Sequence, residues 1–283
     1  MEPIPGLLAG QGQGEGPEAG PLPFHKTHRW FGMARVYVLA AIFGAILWPI
    51  VPDQQSQAAD TSSETVFSER LAERRGMVET QLKGFGRTPV TDGAVIQAML
   101  KVPRHLFVPE AGRARAYDDS PVPIGHGQTI SQPYIVALMT QALELKPGMK
   151  VLEVGTGSGY QAALLAEMTP HVYSIEIIRS LCESAQERLR RLGYTSCVVR
   201  LGDGYYGIPE SGPFDRIIVT CAALHIPPPL WEQLKAGGRM VIPIGGPYEI
   251  QRLLLVTKDE QGRRSSRTLE LVRFVPLVTD AVR

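Results

Sequence analysis

The chain has 283 residues, 44% of them hydrophobic and 20% charged, an ordinary globular composition sufficient for one large domain or two small ones. A formal net charge of +1 gives no electrostatic case for a nucleic-acid partner. The three cysteines, Cys182, Cys197 and Cys221, are far apart and odd in number, which excludes a disulfide framework and a metal-ligand spacing. Buried thiols in a reducing compartment are the expectation.

Residues 1–60 read as a disordered, Gly- and Pro-rich extension. Within it, Val36–Val51 is an apolar run without a charge, marginally short for a spanning helix and long for a signal-peptide core. Ser56-Gln57-Ala58 fits a small-x-small cleavage site. Lys26, Arg29 and Arg35 precede the run, which would keep the N-terminus in the cytoplasm. Segment 36–51 is therefore read as a signal or anchor. The alternatives are a surface helix or a start assigned upstream of the true protein.

A folded domain is expected over 61–283, with helices and loops over 61–148 and a sheet over 149–283. Phe67, Leu71, Val78 and Leu82 lie roughly on one helical face, which Gly84 can end. Asp92 can cap a second helix carrying Val95 and Met99. Two prolines forbid a long helix in Val102–Glu110. Ala116–Ser131 reads as an irregular loop of the kind that carries function. An apolar helix follows through Ile135, Met139, Ala142 and Leu143.

From Lys150 strands and helices alternate. Strands are predicted at Val151–Val154, Val172–Glu176, Ser196–Arg200, Arg216–Thr220 and Arg239–Ile244, with a short helix at Leu230–Leu234. Gln251–Thr257 and Thr268–Val275 read as a hairpin around a solvated basic loop, Lys258–Ser266. The pattern indicates an α/β doubly wound, mostly parallel sheet with an antiparallel edge.

The chain is organised around K-V-L-E-V-G-T-G-S-G-Y-Q, Lys150–Gln161. A buried strand, a glycine turn and a helix start follow from that order. The spacing G-x-G-x-G departs from the G-x-G-x-x-G of dinucleotide sites, because Tyr160 takes the last glycine's place. Glu153 would repel a pyrophosphate and suits a cationic ligand. S-adenosylmethionine carries an ammonium and a sulfonium and no phosphate. In such a sheet ligands bind at the carboxyl ends of the strands. Those ends deliver Gly155, Gly157 and Gly159, then Glu176 at a distance suited to ribose hydroxyls, then Asp203 in G-D-G, then Thr220-Cys221. Each acid alone could be a solvated strand end; together they favour an adenosine site. No hydrolytic triad, zinc motif or P-loop is present. Methyl transfer to a carboxylate needs none of these, since the acceptor is already ionised at neutral pH.

The loop P-V-P-I-G-H-G-Q-T-I-S-Q-P, Pro121–Pro133, followed by the glycine turn, strongly resembles the protein-L-isoaspartate O-methyltransferase family. Val102–Pro109, Gly202–Gly204, Phe214–Thr220 and Phe274–Leu277 share the resemblance, which covers roughly Arg70–Leu277. It implies a class I methyltransferase fold of seven strands, Rossmann-like, behind a small helical subdomain that meets the substrate. It implies S-adenosyl-L-methionine as co-substrate, no metal, and damaged proteins carrying L-isoaspartyl residues as substrates. Methylation of their free α-carboxylate initiates repair through a succinimide. The active-site serine of the family matches Ser131, whose residue-level alternative is a helix N-cap before Pro133. Cofactor contacts are implied at Thr129, Ile130, Ser131, Glu153, Gly155, Gly157, Gly159, Glu176, Asp203, Gly204 and, more weakly, Gln251. A cytoplasmic monomer is implied, although segment 36–51 suggests membrane association or export. Cys221 stands where the family has a small alanine. The rival readings are a class I methyltransferase for another carboxylate or small molecule, a nicotinamide-dependent oxidoreductase, and a non-catalytic membrane-tethered module that binds the cofactor or isoaspartyl chains.

Overall fold

The computed structural model describes residues 66–83, 87–247 and 249–279. The expectations for residues 1–60, including segment 36–51, and for a Gly84 cap lie outside the described residues. Helix α1 (Leu71–Met77) runs into a π-helical turn at Val78–Leu82. Helix α2 (Gly93–Lys101) starts where Asp92 Oδ1 accepts from the N–H groups of Ala94 and Val95, as its sequence predicts. The proline-rich stretch that follows forms only 3-10 turns, at Arg104–Phe107 and Glu110–Arg115.

The stretch expected to be irregular contains a small hairpin. Strands β1 (Val122–Gly125) and β2 (Gln128–Ile130) pair antiparallel around Gly125, His126 and Gly127, all with positive φ. Single-residue turn chemistry at a non-glycine position such as His126 is hard to read in advance. Helix α3 (Pro133–Leu143) then crosses to the main sheet.

That sheet has seven strands in the order β5-β4-β3-β6-β7-β8-β9. They are β3 (Val151–Val154), β4 (Val172–Glu176), β5 (Cys197–Leu201), β6 (Phe214–Val219), β7 (Leu234–Ile244), β8 (Gln251–Lys258) and β9 (Arg264–Val272). The first five in space pair parallel; β8 and β9 form the antiparallel edge. Helices α4 (Tyr160–Ala166), α5 (Arg179–Arg191) and α6 (Pro228–Gln233) supply the crossovers. Every position of β3 is buried, as a central parallel strand requires. Leu152 and Val154 enter the core on one face, Val151 the core on the other. Truncating Leu152 to alanine removes fully buried volume and costs about 2–5 kcal/mol.

Two boundaries differ from expectation. Strand β7 begins at Leu234, directly after α6, because Gly237 (φ +70°) and Gly238 form an irregularity in the pairing rather than a separate loop. Strand β9 begins at Arg264, because Asp259 Oδ1 accepts from the N–H groups of Gln261 and Arg263 and closes a tight turn. Arg264 and Arg267 thus lie on the edge strand.

Candidate active site

Strand β3 has β4 on one side and β6 on the other, so the winding direction reverses at its carboxyl end. A crevice is expected at that point. The chain leaves β3 through Gly155 (φ +93°), Gly157 (φ +52°) and Gly159 (φ +85°). A Cβ on Gly155 would lie 2.6 Å from Thr220 Oγ1. That hydroxyl, at the tip of β6, is 2.7 Å from the Gly155 carbonyl and 3.0 Å from that of Val154. A Cβ on Gly204 would lie 2.5 Å from Val154 Cγ1. At both positions a side chain would collide with the neighbouring strand, so glycine alone lets the main chain run there.

Glu153 and Glu176 line the clefts beside the turn, and Asp203 stands at the next strand end without lining them. Glu176, at the end of β4, is buried; its Oε2 accepts from Gly157 N–H at 2.8 Å and its Oε1 from Ile178 N–H at 2.9 Å. Each oxygen keeps a second lone pair for a ligand hydroxyl. Asp203 follows β5, its Oδ1 accepting from Tyr205 N–H at 2.9 Å. Glu153 is fully buried in β3, where Ser174 Oγ donates to its Oε2 at 2.6 Å. Its Oε1 is buried with no hydrogen-bond partner among the described residues. Burial pushes the Glu153 carboxyl up to about 8, outweighing the Ser174 hydrogen bond, so it holds its proton at neutral pH. The expectation of a standing carboxylate at this position is thereby revised: the group is a neutral acid that a cationic ligand would have to ionise.

Two clefts border the glycine turn, and a third shares lining residues with one of them. One, of about 50 Å³, is bordered by Gly155, Glu176, Gly204, Cys221 and Leu277. The central one, of about 40 Å³, has Thr129, Ser131, Glu153, Gly155, Gly157 and Thr220 in its walls. The outer one, of about 400 Å³, is lined by Thr129, Ser131, Thr220, Ile250, Arg273 and Phe274 among others. Thr129, Ser131 and Thr220 therefore border both the central and the outer cleft.

Ser131 follows hairpin strand β2 and is half-buried. It is not a helix N-cap: Gln132 holds that position before Pro133, and no side chain caps the helix. Instead the Ser131 carbonyl accepts from Arg104 Nη2 at 2.7 Å. Thr129 is exposed at the cleft, and Ile130 is buried in the core beside it.

Gln251 is not brought to the crevice. It is fully buried, its Oε1 accepts from Phe274 N–H at 2.7 Å, and its Nε2 donates to the carbonyls of Gly246 and Phe274. Its amide pins the main chain that carries Phe274 along the outer cleft. Thr220 and Cys221, which the fourth predicted strand delivers to this edge of the sheet, border the clefts. Leu277 also borders one and was not an expected contact: Leu277 N–H donates to Ala222 O at 2.7 Å, a long-range pairing with no periodic signature.

A family model described as Protein-L-isoaspartate(D-aspartate) O-methyltransferase (PCMT) matches residues 78–282. Protein-L-isoaspartate O-methyltransferase 2 of Syntrophobacter fumaroxidans is 62% identical over 192 residues, covering 68% of this chain and 77% of that one. The protein of the same name from a Polaromonas species is 59% identical over 189 residues, covering 67% of this chain and 90% of its own. Among solved structures, one protein-L-isoaspartate O-methyltransferase superposes with a TM-score of 0.63 at 31% identity, over 72% of this chain and 65% of that chain. A Plasmodium falciparum chain of this kind, in complex with S-adenosyl-L-homocysteine, also scores 0.63 at 28% identity, over 74% and 98% of the two chains.

Proposed function

The chain belongs to the protein-L-isoaspartate(D-aspartate) O-methyltransferase family, and from that membership we propose how its residues divide the work of the reaction. The enzyme methylates isoaspartyl residues of damaged proteins with S-adenosyl-L-methionine as donor, in protein repair. The residues present fit that donor. Gly155 and Gly204 border a cleft beside Glu176, and Glu153 offers a buried oxygen without a partner among the described residues. When bound, S-adenosyl-L-methionine supplies a methyl group activated by its sulfonium.

Glu176 accepts ribose hydroxyls, Asp203 and Gly204 border the base, and Gly155, Gly157 and Glu153 hold the amino acid end. Thr129, Ile130 and Ser131 close the central cleft from the acceptor side. The acceptor α-carboxylate arrives ionised and needs no general base. Ser131 Oγ donates to one of its oxygens and so aims the other in line with the methyl group. The cleft walls exclude water, which would otherwise favour the separated charges over the neutralising transition state.

The observation that carries this reading is the shared border: Ser131, Thr129 and Thr220 line both the cleft beside the glycine turn and the larger outer cleft. In the same division of labour, residues 61–148 form the subdomain that presents the acceptor loop and 149–283 the sheet that holds the nucleoside. The enzyme works as a cytoplasmic monomer. Among the described residues no helix is long and apolar enough to cross a membrane. The test is Ser131→Ala with an isoaspartyl peptide and its aspartyl twin, scored by base-labile methyl ester. The parent should esterify only the isoaspartyl peptide. The variant should lose about 10- to 100-fold in kcat with S-adenosyl-L-homocysteine affinity retained. Equal turnover in variant and parent sinks the role given to Ser131.

A further inference from the structure

One buried cation lies beside this site and has no part in the scheme above. Arg104 is 0% exposed. Its Nε donates to the carbonyl of Ala116 and its Nη2 to that of Ser131, both at 2.7 Å. The guanidinium carbon sits 4.9 Å from the centroid of the Tyr160 ring. Tyr160 and Ser131 border the same central cleft. Arg104 Nη1 is buried with no hydrogen-bond partner, and no carboxylate pairs with the side chain, among the described residues.

A second buried arginine shows what a purely structural role looks like. Arg74, also 0% exposed and also with one buried nitrogen, Nε, lacking a partner among the described residues, donates to the carbonyls of Phe67, Glu69, Leu100 and Lys101, four in all, and thereby satisfies the end of α2. Arg104 reaches only two carbonyls, and one belongs to the acceptor serine. Burial lowers its pKa to about 10, which leaves it charged at neutral pH. A buried charge without a counter-ion is costly, and two hydrogen bonds to carbonyls return only part of that cost. Stability is a poor account of such a group. A carboxyl (Glu153) lines the cleft as well, so the cavity is bordered by an acid and backed on the Ser131 side by a cation.

We propose that Arg104 is a positioning residue for methyl transfer: its grip on the Ser131 carbonyl holds the serine hydroxyl in register, and its unpaired charge favours an ionised carboxylate on the acceptor side. The proposal rests on the reading of Ser131 as the residue that orients the acceptor. Arg104→Lys keeps the charge and loses the planar two-carbonyl fork; Arg104→Met loses both at similar length. Binding of S-adenosyl-L-homocysteine by calorimetry identifies folded variants. Both should bind it within about threefold of the parent, while kcat for an isoaspartyl peptide falls about 10-fold in Arg104→Lys and about 100-fold in Arg104→Met. KM for the peptide should rise more in Arg104→Met. Parent-like kcat in either binding-competent variant overturns the proposal, and so does a loss confined to cofactor affinity. If neither variant binds the nucleoside, Tyr160→Leu, which removes the ring that seats the guanidinium together with a hydroxyl bonded to Met99 Sδ, decides the matter against Tyr160→Phe, which keeps the ring: kcat lowered in the first and kept in the second, with binding retained, supports the proposal, and unchanged kcat in Tyr160→Leu overturns it. Failure of the underlying reading shows separately, as unchanged kcat in Ser131→Ala.

Discussion

The glycine turn and the acceptor loop border the same crevice and are held by different means. The turn hangs from the sheet: Gly155 N–H donates to Ile175 O at 2.9 Å, Thr220 N–H to Val154 O at 2.9 Å, and Gly157 N–H to the Glu176 carboxylate. Ladder hydrogen bonds between buried strands set its geometry, so one side-chain change leaves most of it in place. The acceptor loop lies outside the sheet. Its small hairpin has three residue pairs in register, and Arg104 ties its end to the body of the protein. The glycine turn is therefore held by the sheet, whereas the loop that carries Ser131 depends on a few side-chain contacts; on the proposed reading the first serves the nucleoside and the second the acceptor. Damage to the first should appear in nucleoside affinity and stability, and damage to the second in turnover.

The largest expected effect probes the acid under the turn. Glu153 has its pKa raised from 4.5 to about 8, so between those values the folded state holds a proton that the unfolded chain has released. Its contribution to stability is present below pH 4.5 and is lost as pH rises toward 8, by about 5 kcal/mol in all. Denaturant midpoints of the parent should fall over that range, and Glu153→Gln should remove most of the slope. An identical slope in the variant would show that the burial of this acid is not the cause. Next, Gly155→Ala places a Cβ against Thr220 Oγ1 at a backbone angle of +93°, and should cost about 2–4 kcal/mol of stability and abolish nucleoside binding. Binding at the parent's affinity would mean that the turn yields more readily than its ladder suggests. Glu176→Ala should weaken S-adenosyl-L-homocysteine by about 1–3 kcal/mol in a titration and leave kcat at saturation nearly unchanged. A fall in kcat instead would blur the division between the two sides. The smallest effect, about 1 kcal/mol in denaturant unfolding, is expected for Asp92→Ala, which removes a cap far from either side.

The same division explains what could be read from the amino-acid order. Buried parallel strands announce themselves as apolar runs, so β3, β4 and β6 and the acids and glycines at their tips were legible, as was the Asp92 cap. The reading of Ser131 as the acceptor serine rests on the resemblance alone; the residues by themselves suggested a helix cap, and the helix starts one residue later. Arg104 carries no local signal at all, because its partners, Ala116 and Ser131, come from distant turns of the chain. Gln251 was misplaced for a related reason. A buried amide is drawn to whichever main-chain groups lack partners, here those of Phe274, and that demand has no period. The charge state of Glu153 was likewise hidden, since it depends on full burial and not on neighbours in the chain.

Thr129, Ser131 and Thr220 line both a cleft of about 40 Å³ and one ten times larger. On the proposed reading these three side chains form the threshold at which donor and acceptor meet, so enlarging any of them should hinder turnover of the peptide before it hinders capture of the nucleoside.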